Sequence, residues 1–368
     1  MREYGNRARK EAEAKVQQLC SLGLGSKLLI PAVLDQLHEF VPSHSSTFLW
    51  ADNAGNIVDA YNETPDAPMF LPYYLHEFYN RSELDVFMGW RAILQQQKNA
   101  IDLDECMTVE RSRFQKHRFY NEYLSPLDIH WQMHLVVRDG PDSRGVVMLH
   151  RGRREKPFSP VEARCLERLS AFLAYALEEA PDSVEEWVDG EAEGLLVADR
   201  QGRIVWQSPA ARHLLFLANH DRVASSRHRA VDSSRLPRKV KSLCDRLEAV
   251  QAQKRVEEPP VLCMQNAWGR FRFAASRLED GADSTGLIGI TVRHQEPKAL
   301  RLMRRINQLR MTPRQRQVCL LMARGESYAE IADQMGITEN TAISHSRAIY
   351  DHLDVHNRQE LASCLLNS

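Results

Sequence analysis

M-T-P-R-Q-R-Q-V-C-L-L-M-A-R-G (Met311–Gly325), S-Y-A-E-I-A-D-Q-M-G (Ser327–Gly336) and T-E-N-T-A-I-S-H-S-R-A-I-Y-D-H-L (Thr338–Leu353) are three helical segments whose starts and stops are spelled out. Thr312 caps the first, Pro313 takes the first helical position, where a missing N–H costs nothing, and Gln315 completes a capping box. Gly325 ends it. Ser327 caps the second with Glu330 three residues on, and Ile331 and Met335, one turn apart, form its inner face. Gly336 turns the chain. Thr338 caps the third, in which Ala342, Ile349 and Leu353 share a face toward the first two helices. Asn340, Ser344, Arg347 and Asp351 share another face. A fourth helix follows, capped by Asn357 with Glu360 three residues later, and its Leu361 and Leu365 point one way. The pattern is a helix-turn-helix.

At these residues the chain resembles the LuxR-type (GerE-type) DNA-binding domain: M-T-P-R-Q-R-Q-V, then Y-A-E-I-A-D-Q-M-G-I-T-E-N-T-A-I-S-H, then V-H-N-R-Q-E-L, covering about residues 308–368. The resemblance implies that the third helix enters the major groove of double-stranded DNA and that the fourth pairs two copies about a two-fold axis. By position it places Ile343, Ser344 and Arg347 at base edges, with Asn340 on the same exposed side. Ser327, Tyr328, Thr338, Thr341 and Arg358 fall near phosphates. Base contacts specify and phosphate contacts position. The family usually has Glu at Gln315 and Gln317, Val at Ala342 and commonly Lys at Ile343. An apolar Ile343 suits a thymine methyl, where Lys would reach guanine or phosphate.

An acidic helical bundle with no nucleic-acid role is the bland alternative, and charge gives it some standing. From Gly325 to the end two Arg face seven Asp and Glu. Upstream, Lys298, Arg301, Arg304, Arg305, Arg310, Arg314, Arg316 and Arg324 run without an intervening acid, giving ten cations against seven carboxylates over 298–368. The expectation is that this run carries much of the non-specific phosphate binding.

The 368 residues, with a net charge of -1, accommodate two or three domains and exclude a global polyanion-binding surface. Seven scattered cysteines, never spaced C-x-x-C, fit a reducing cytoplasm. No apolar run approaches the roughly 20 residues of a membrane helix, and the N-terminus has no signal-peptide core, so membrane insertion and secretion are not expected.

Residues 1–24 read as an N-terminal helix or tail. Between 25 and 180, a helix from Lys27 to Phe40 precedes a strand S-S-T-F-L-W-A-D, a turn at Asn53 to Asn56 and a second strand from Ile57 to Tyr61. Trp131 to Val137 and Gly145 to His150 flank the turn D-G-P-D-S-R-G. Ser159 caps a long helix through Leu177, with Val161, Cys165, Leu166, Leu169, Phe172, Leu173 and Leu177 expected inward. The run F-S-P-V-E-A-R-C-L-E-R-L after M-L-H-R-G resembles the end of a GAF domain.

Residues 186–296 place a hairpin turn at Asp199 to Gly202, between L-L-V-A and I-V-W. The segment ends in two alternating strands, W-G-R-F-R-F-A-A-S-R-L and G-L-I-G-I-T-V-R. This segment resembles a PAS domain, with Ser208 before Pro209 where the family commonly has Asn, and with a basic, polar middle from Ser225 to Lys239. That middle argues against a small-molecule pocket here and leaves dimerisation or signal transmission. Across 297–310, Leu300, Met303, Ile306 and Leu309 recur every third residue, a stripe for packing against a twin helix or a sheet. The fold expected is therefore α+β sensor domains (GAF-like, then PAS-like) followed by an all-α four-helix LuxR-type helix-turn-helix domain over 311–368.

Aromatic residues crowd the first segment, and pockets are mostly apolar with a few placed polar groups. Trp90, Phe114, Tyr120, Tyr123, Trp131 and His134 are the candidates for holding a small organic effector, with buried core as the plainer reading of each. His130 and His134, like His352 and His356, lie four apart without Cys or carboxylate at metal spacing, so neither a metal nor another cofactor is expected. No P-loop, G-x-G-x-x-G or G-x-S-x-G occurs, and the acidic residues of a phosphoacceptor domain are missing. The chain reads as a regulator and not an enzyme. Its expected partners are double-stranded DNA, a second copy, a small effector and RNA polymerase, and the alternative is control by a partner protein through the GAF-like or PAS-like surface.

Overall fold

The computed structural model describes residues 2–64, 67–178, 186–220, 234–251, 260–279 and 284–367. Much of the basic segment Ser225–Lys239 lies outside the described residues. The chain forms two compact units, one of residues 43–174 with 189–295 and one of residues 1–42 and 175–188 with 296–368.

Two helices open the second-named unit, α1 (Arg2–Cys20) and α2 (Ser26–Phe40), which pack together, with Ala12, Val16 and Leu19 of α1 and Leu29, Val33 and Leu37 of α2 buried. The other unit holds two five-stranded antiparallel sheets. The first is built from β1 (Ser45–Ala51), β2 (Ile57–Asn62), β3 (Ala100–Asp102), β4 (Trp131–Asp139) and β5 (Asp142–Arg151) in the order β2-β1-β5-β4-β3. Thr47 aligns with Met148 and Asn62, and Gln132 with His150, which fixes which side chains share a face.

Between β2 and β4 the chain makes α3 (Ala67–Glu77), α4 (Trp90–Gln95), α5 (Leu103–Cys106) and α6 (Arg111–Phe114), then single turns at Phe119–Leu124 and Ser125–Leu127. These short pieces carry most of the aromatic residues. After β5, α7 (Pro160–Glu167) starts at a Ser159–Glu162 capping box, and α8 (Ser170–Ala176) follows. The single long helix expected over Ser159–Leu177 is thus two. Ser170 at the break donates to the Val136 carbonyl of β4 at 3.3 Å. Leu166, Leu169, Leu173 and Ala176 are buried, whereas Val161 and Phe172, expected inward, are 45% and 40% exposed. Seven apolar positions cover too wide an arc for one contact face, and only the 166/169/173/176 stripe is buried.

The second sheet comprises β6 (Trp187–Ala198), β7 (Ile204–Gln207), β8 (Val261–Asn266), β9 (Gly269–Glu279) and β10 (Ser284–Pro297), ordered β7-β6-β10-β9-β8. The hairpin at Asp199–Gly202 forms as expected: the Asp199 carboxylate accepts from the N–H groups of Gln201 and Arg203, and Gly202 supplies φ +77°. Helices α9 (Pro209–Asn219) and α10 (Arg238–Gln251) lie by the face that carries Phe271, Phe273, Ile288, Ile290 and Val292. Trp268 meets Trp50 and Tyr61 at 5.7 Å ring separation, so the two sheet assemblies share one apolar core. No helix among the described residues is long and apolar enough to cross a membrane.

After β10 come α11 (Lys298–Gln308), α12 (Pro313–Ala323), α13 (Tyr328–Met335), α14 (Glu339–Leu353) and α15 (Arg358–Asn367). Leu300, Met303 and Ile306 of α11 are buried, and α11 packs against α1, α12 and α15.

Candidate DNA-binding site

Each helix start read from the sequence carries its cap. Thr312 accepts from the Gln315 N–H while Gln315 reaches back to the Thr312 N–H, Ser327 and Glu330 repeat the arrangement, and Thr338 accepts from Thr341. Gly336 sits at φ +60°, where a left-handed residue ends α13 and turns the chain into α14. Val318, Cys319, Met322, Ile331, Ala342, Ile349, Leu361 and Leu365 close the core between the four helices. Leu353 is half-buried.

This leaves one side of α14 in solvent. Asn340, Ser344, Arg347 and Asp351 are exposed, as are Ser327 and Thr338 at the helix starts, while Thr341 and Ile343 are half-buried. An amide, a hydroxyl and a guanidinium along one exposed helix side, with α13 capped beside it, form a surface able to donate hydrogen bonds to anionic or carbonyl oxygens. Besides the capping bonds of Ser327 and Thr338 and the 2.8 Å contact between the Thr338 and Thr341 hydroxyls, two further candidates are engaged. The Arg358 guanidinium lies 4.6 Å over the Tyr328 ring and bonds the Glu326 carbonyl. The Tyr328 hydroxyl is 3.1 Å from Ser346, and that hydrogen bond draws its pKa below the usual phenol value against the opposing effect of burial. Arg358 and Tyr328 therefore pin the loop before α13 to α14 and α15.

The basic run is less available than its sequence implies. Arg301 and Arg316 are buried and Arg304 pairs with buried Glu296 at 3.2 Å, while Lys298 pairs with Glu186. Arg310, Arg314 and Arg324 are exposed. Arg316 was missed as an internal residue: fully buried, it bonds Gln18 at 2.8 Å, the Met311 carbonyl at 2.9 Å and Glu11. Nothing local in the sequence separates it from Arg314.

The profile of the family described as "Bacterial regulatory proteins, luxR family" matches residues 309–365. Those residues form a LuxR-type helix-turn-helix domain. No curated protein matches the chain. Among solved structures, the "phage VqmA-DPO complex" is similar at 16% identity over 49% of this chain and 84% of that one, with a TM-score of 0.16. The "E.coli DhaR(N)-DhaL complex" is similar at 9% identity over 78% of this chain and 87% of that one, with a TM-score of 0.24. Superpositions that loose carry nothing about fold or ligand. The LuxR-type domain is where α14 presents Asn340, Ser344 and Arg347.

Away from that domain, the effector candidates form a continuous run of ring contacts. Trp90 meets His134 at 5.4 Å and Phe87 at 5.5 Å, Phe87 reaches Phe119, and Phe119 touches Phe114 and Tyr123. Phe114 continues to Tyr120, Tyr120 to His130 and His130 to Trp131. Trp90, Phe114, Tyr120 and His134 are buried and Tyr123 and Trp131 half-buried. Trp131 carries the Arg111 guanidinium over its ring at 3.9 Å, at the far end from Trp90.

Beneath the rings, one face of the first sheet carries a polar row that sequence reading missed. Asn62 bonds Thr47 at 2.6 Å, Thr47 meets His150 at 3.0 Å, Gln132 meets His150 at 3.3 Å, and His134 lies 3.4 Å from both Gln132 and Cys106. Burial pushes the His134 imidazole down to about 3, so it is neutral. Buried Glu83 takes hydrogen bonds from Tyr74 and the Asn80 N–H, both at 2.8 Å, and burial raises its carboxyl to about 7.

Proposed function

We propose that this chain is a transcriptional regulator, not an enzyme, in which α14 reads double-stranded DNA as part of a dimer. The exposed row Asn340, Ser344 and Arg347 on a helix whose opposite side is buried carries the reading. Ser344, Arg347 and Ile343 contact base edges; Asn340, Thr338, Thr341 and Ser327 approach bases or phosphates. Tyr328 and Arg358 hold the frame and reach phosphate from its edge. Mobility shifts with genomic fragments test this. Arg347→Ala is expected to cost about 1–3 kcal/mol and to loosen preference at one position of each half-site. Unchanged affinity and specificity in that variant would remove α14 from the groove.

The first sheet and its aromatic cover constitute a GAF-like sensor and the second sheet a PAS-like module. The effector is a small organic molecule with both apolar and hydrogen-bonding groups, admitted between the rings of Trp90, Phe114, Tyr120 and Tyr123 and the polar row that ends at His134; Trp131, next to Gln132 on β4, turns to the other face of the sheet. A ligand that binds one state of the sensor more tightly shifts the DNA-binding equilibrium by that difference. The supporting observation is the juxtaposition of a buried polar row and stacked rings, which an inert core has little need of. Purified protein whose mobility shift responds to a protein-free metabolite extract supports the effector. A response that needs a second protein overturns it in favour of partner control.

A further inference from the structure

The inner face of the second sheet is filled by Phe271, Phe273, Ile288, Ile290 and Val292, so alternation sends their neighbours outward. On the outer face Trp206 of β7 is 64% exposed and Leu195 of β6 is 52% exposed, with Val197 and Leu278 beside them. Val197 sits opposite Trp206, and Leu278 lies against Gly289 of β10. Toward the other end the same face becomes charged. Gln295 bonds Asp189 at 2.8 Å, while Arg293 reaches Glu193 at 3.2 Å and Asp189 at 3.7 Å. Those contacts align Asp189, Glu191 and Glu193 of β6 beside Gln295, Arg293 and Thr291 of β10, and Arg293 in turn aligns with Arg272 of β9 and Gln295 with Arg270.

The face is therefore ordered in two directions. Along the strands it passes from charged to apolar. Across them, β10 lies between an acidic column, Asp189, Glu191 and Glu193, and a basic column, Arg270 and Arg272. We infer that this outer face docks on the same face of a second copy, with the strands parallel and the two-fold axis along β10. That rotation carries β6 of one copy over β9 of the other, so Glu191 meets Arg272 of the partner and the apolar ends superpose. Gly289, which presents no side chain, sits at the axis where two sheets need room to approach. Arg293, which faces its own copy there, is drawn toward β6 by Asp189 and Glu193.

A face of five strands about 4.8 Å apart, and of similar length along them, offers a footprint of roughly 600 Å2 per copy. That is at the lower end of specific interfaces, so a reversible dimer is expected and not a permanent one. Aligned sheet packing tolerates the twist this requires.

The test is the mass of the full-length protein against concentration, without DNA, by sedimentation and light scattering. Trp206→Glu and Arg272→Glu are each expected to shift the monomer–dimer midpoint by tenfold or more to higher concentration. The double charge exchange Glu191→Arg with Arg272→Glu restores complementarity across the two-fold axis and is expected to recover most of the loss. Normal circular dichroism of each variant separates misfolding from dissociation. A monomer at every concentration, or a dimer indifferent to Trp206→Glu, or single and double charge variants that behave alike, overturns the inference. Because DNA is absent throughout, none of these outcomes bears on α14 as the DNA reader.

Discussion

Arg316 is the side chain whose loss the structure penalises most clearly. It is fully buried, and its Nε donates to Gln18 at 2.8 Å and its Nη1 to the Met311 carbonyl at 2.9 Å and to Glu11. A buried hydrogen bond from a charged donor contributes about 1.5–3 kcal/mol, and removing the donor also strands its acceptors. The Glu11 side chain is 39% exposed, so solvent screening limits that pair to less than about 1 kcal/mol. Nη2 has no partner among the described residues, which offsets part of the gain. Together these put Arg316→Ala at about 3–5 kcal/mol, Glu11→Gln below about 1 kcal/mol and Gln18→Leu between them. Since Gln18 and Glu11 lie on α1 and Arg316 on α12, the loss is local to the packing of those two helices. Amide hydrogen exchange, read helix by helix in the full chain, should show α1 and α12 losing protection together while β4 and β5 keep theirs. If Arg316→Ala cost under about 1 kcal/mol, or α12 alone lost protection, the reasoning that a buried guanidinium joins the two helices would be wrong.

Two further expectations come from charge. Arg304 is held by Glu296, so Arg304→Gln should leave the salt dependence of DNA binding unchanged, whereas neutralising Arg310, Arg314 and Arg324 should flatten the slope by about 0.9 for each phosphate that is no longer neutralised. Titrating affinity against salt for the two sets distinguishes them. Glu83 and His134 set opposing pH slopes on stability. Glu83, raised from 4.5 to about 7, holds a proton in the folded state that the unfolded chain has released, so its contribution falls as pH rises through that window. His134, lowered from 6.5 to about 3, stays neutral while the unfolded chain takes a proton, so its contribution falls as pH drops below 6.5. Between 4.5 and 6.5 the two nearly cancel, and Glu83→Gln should expose the His134 slope of about 1.4 kcal/mol per pH unit in denaturant titrations. A variant as flat as the parent would mean that Glu83 is ionised in the folded state.

What the sequence discloses and what it hides divide along the range of the interaction. The caps at Thr312, Ser327 and Thr338 and the turn at Gly336 use partners three residues away or a single backbone angle, and all were legible. Strands β1, β2, β4 and β5 of the first sheet were legible for a similar reason, since alternation is a local pattern, but the three-residue β3 and the polar row were not. Asn62, Thr47, His150 and Gln132 sit on four different strands, and only their register brings them together. Arg316 is the extreme case: its partners are on the first helix of the chain, and no spacing distinguishes it from exposed Arg314 two residues earlier.

The same distinction explains why charge misled more than apolarity did. A run of cations upstream of a helix-turn-helix reads as a phosphate-binding arm, yet a helix exposes only part of its circumference, and α11 turns Arg301 inward and Arg304 toward Glu296. The apolar stripe Leu300, Met303 and Ile306 already stated which way α11 faces; Arg301 and Arg304, each one residue beyond a member of that stripe, lie at its margin. Placing each charge on the helix before counting it leaves Arg310, Arg314, Arg324 and Arg347 as the exposed arginines of the LuxR-type domain and its approach. With so few cations set against the carboxylates of α13 to α15, the proposed DNA reading predicts a shallow salt dependence and leaves discrimination to α14.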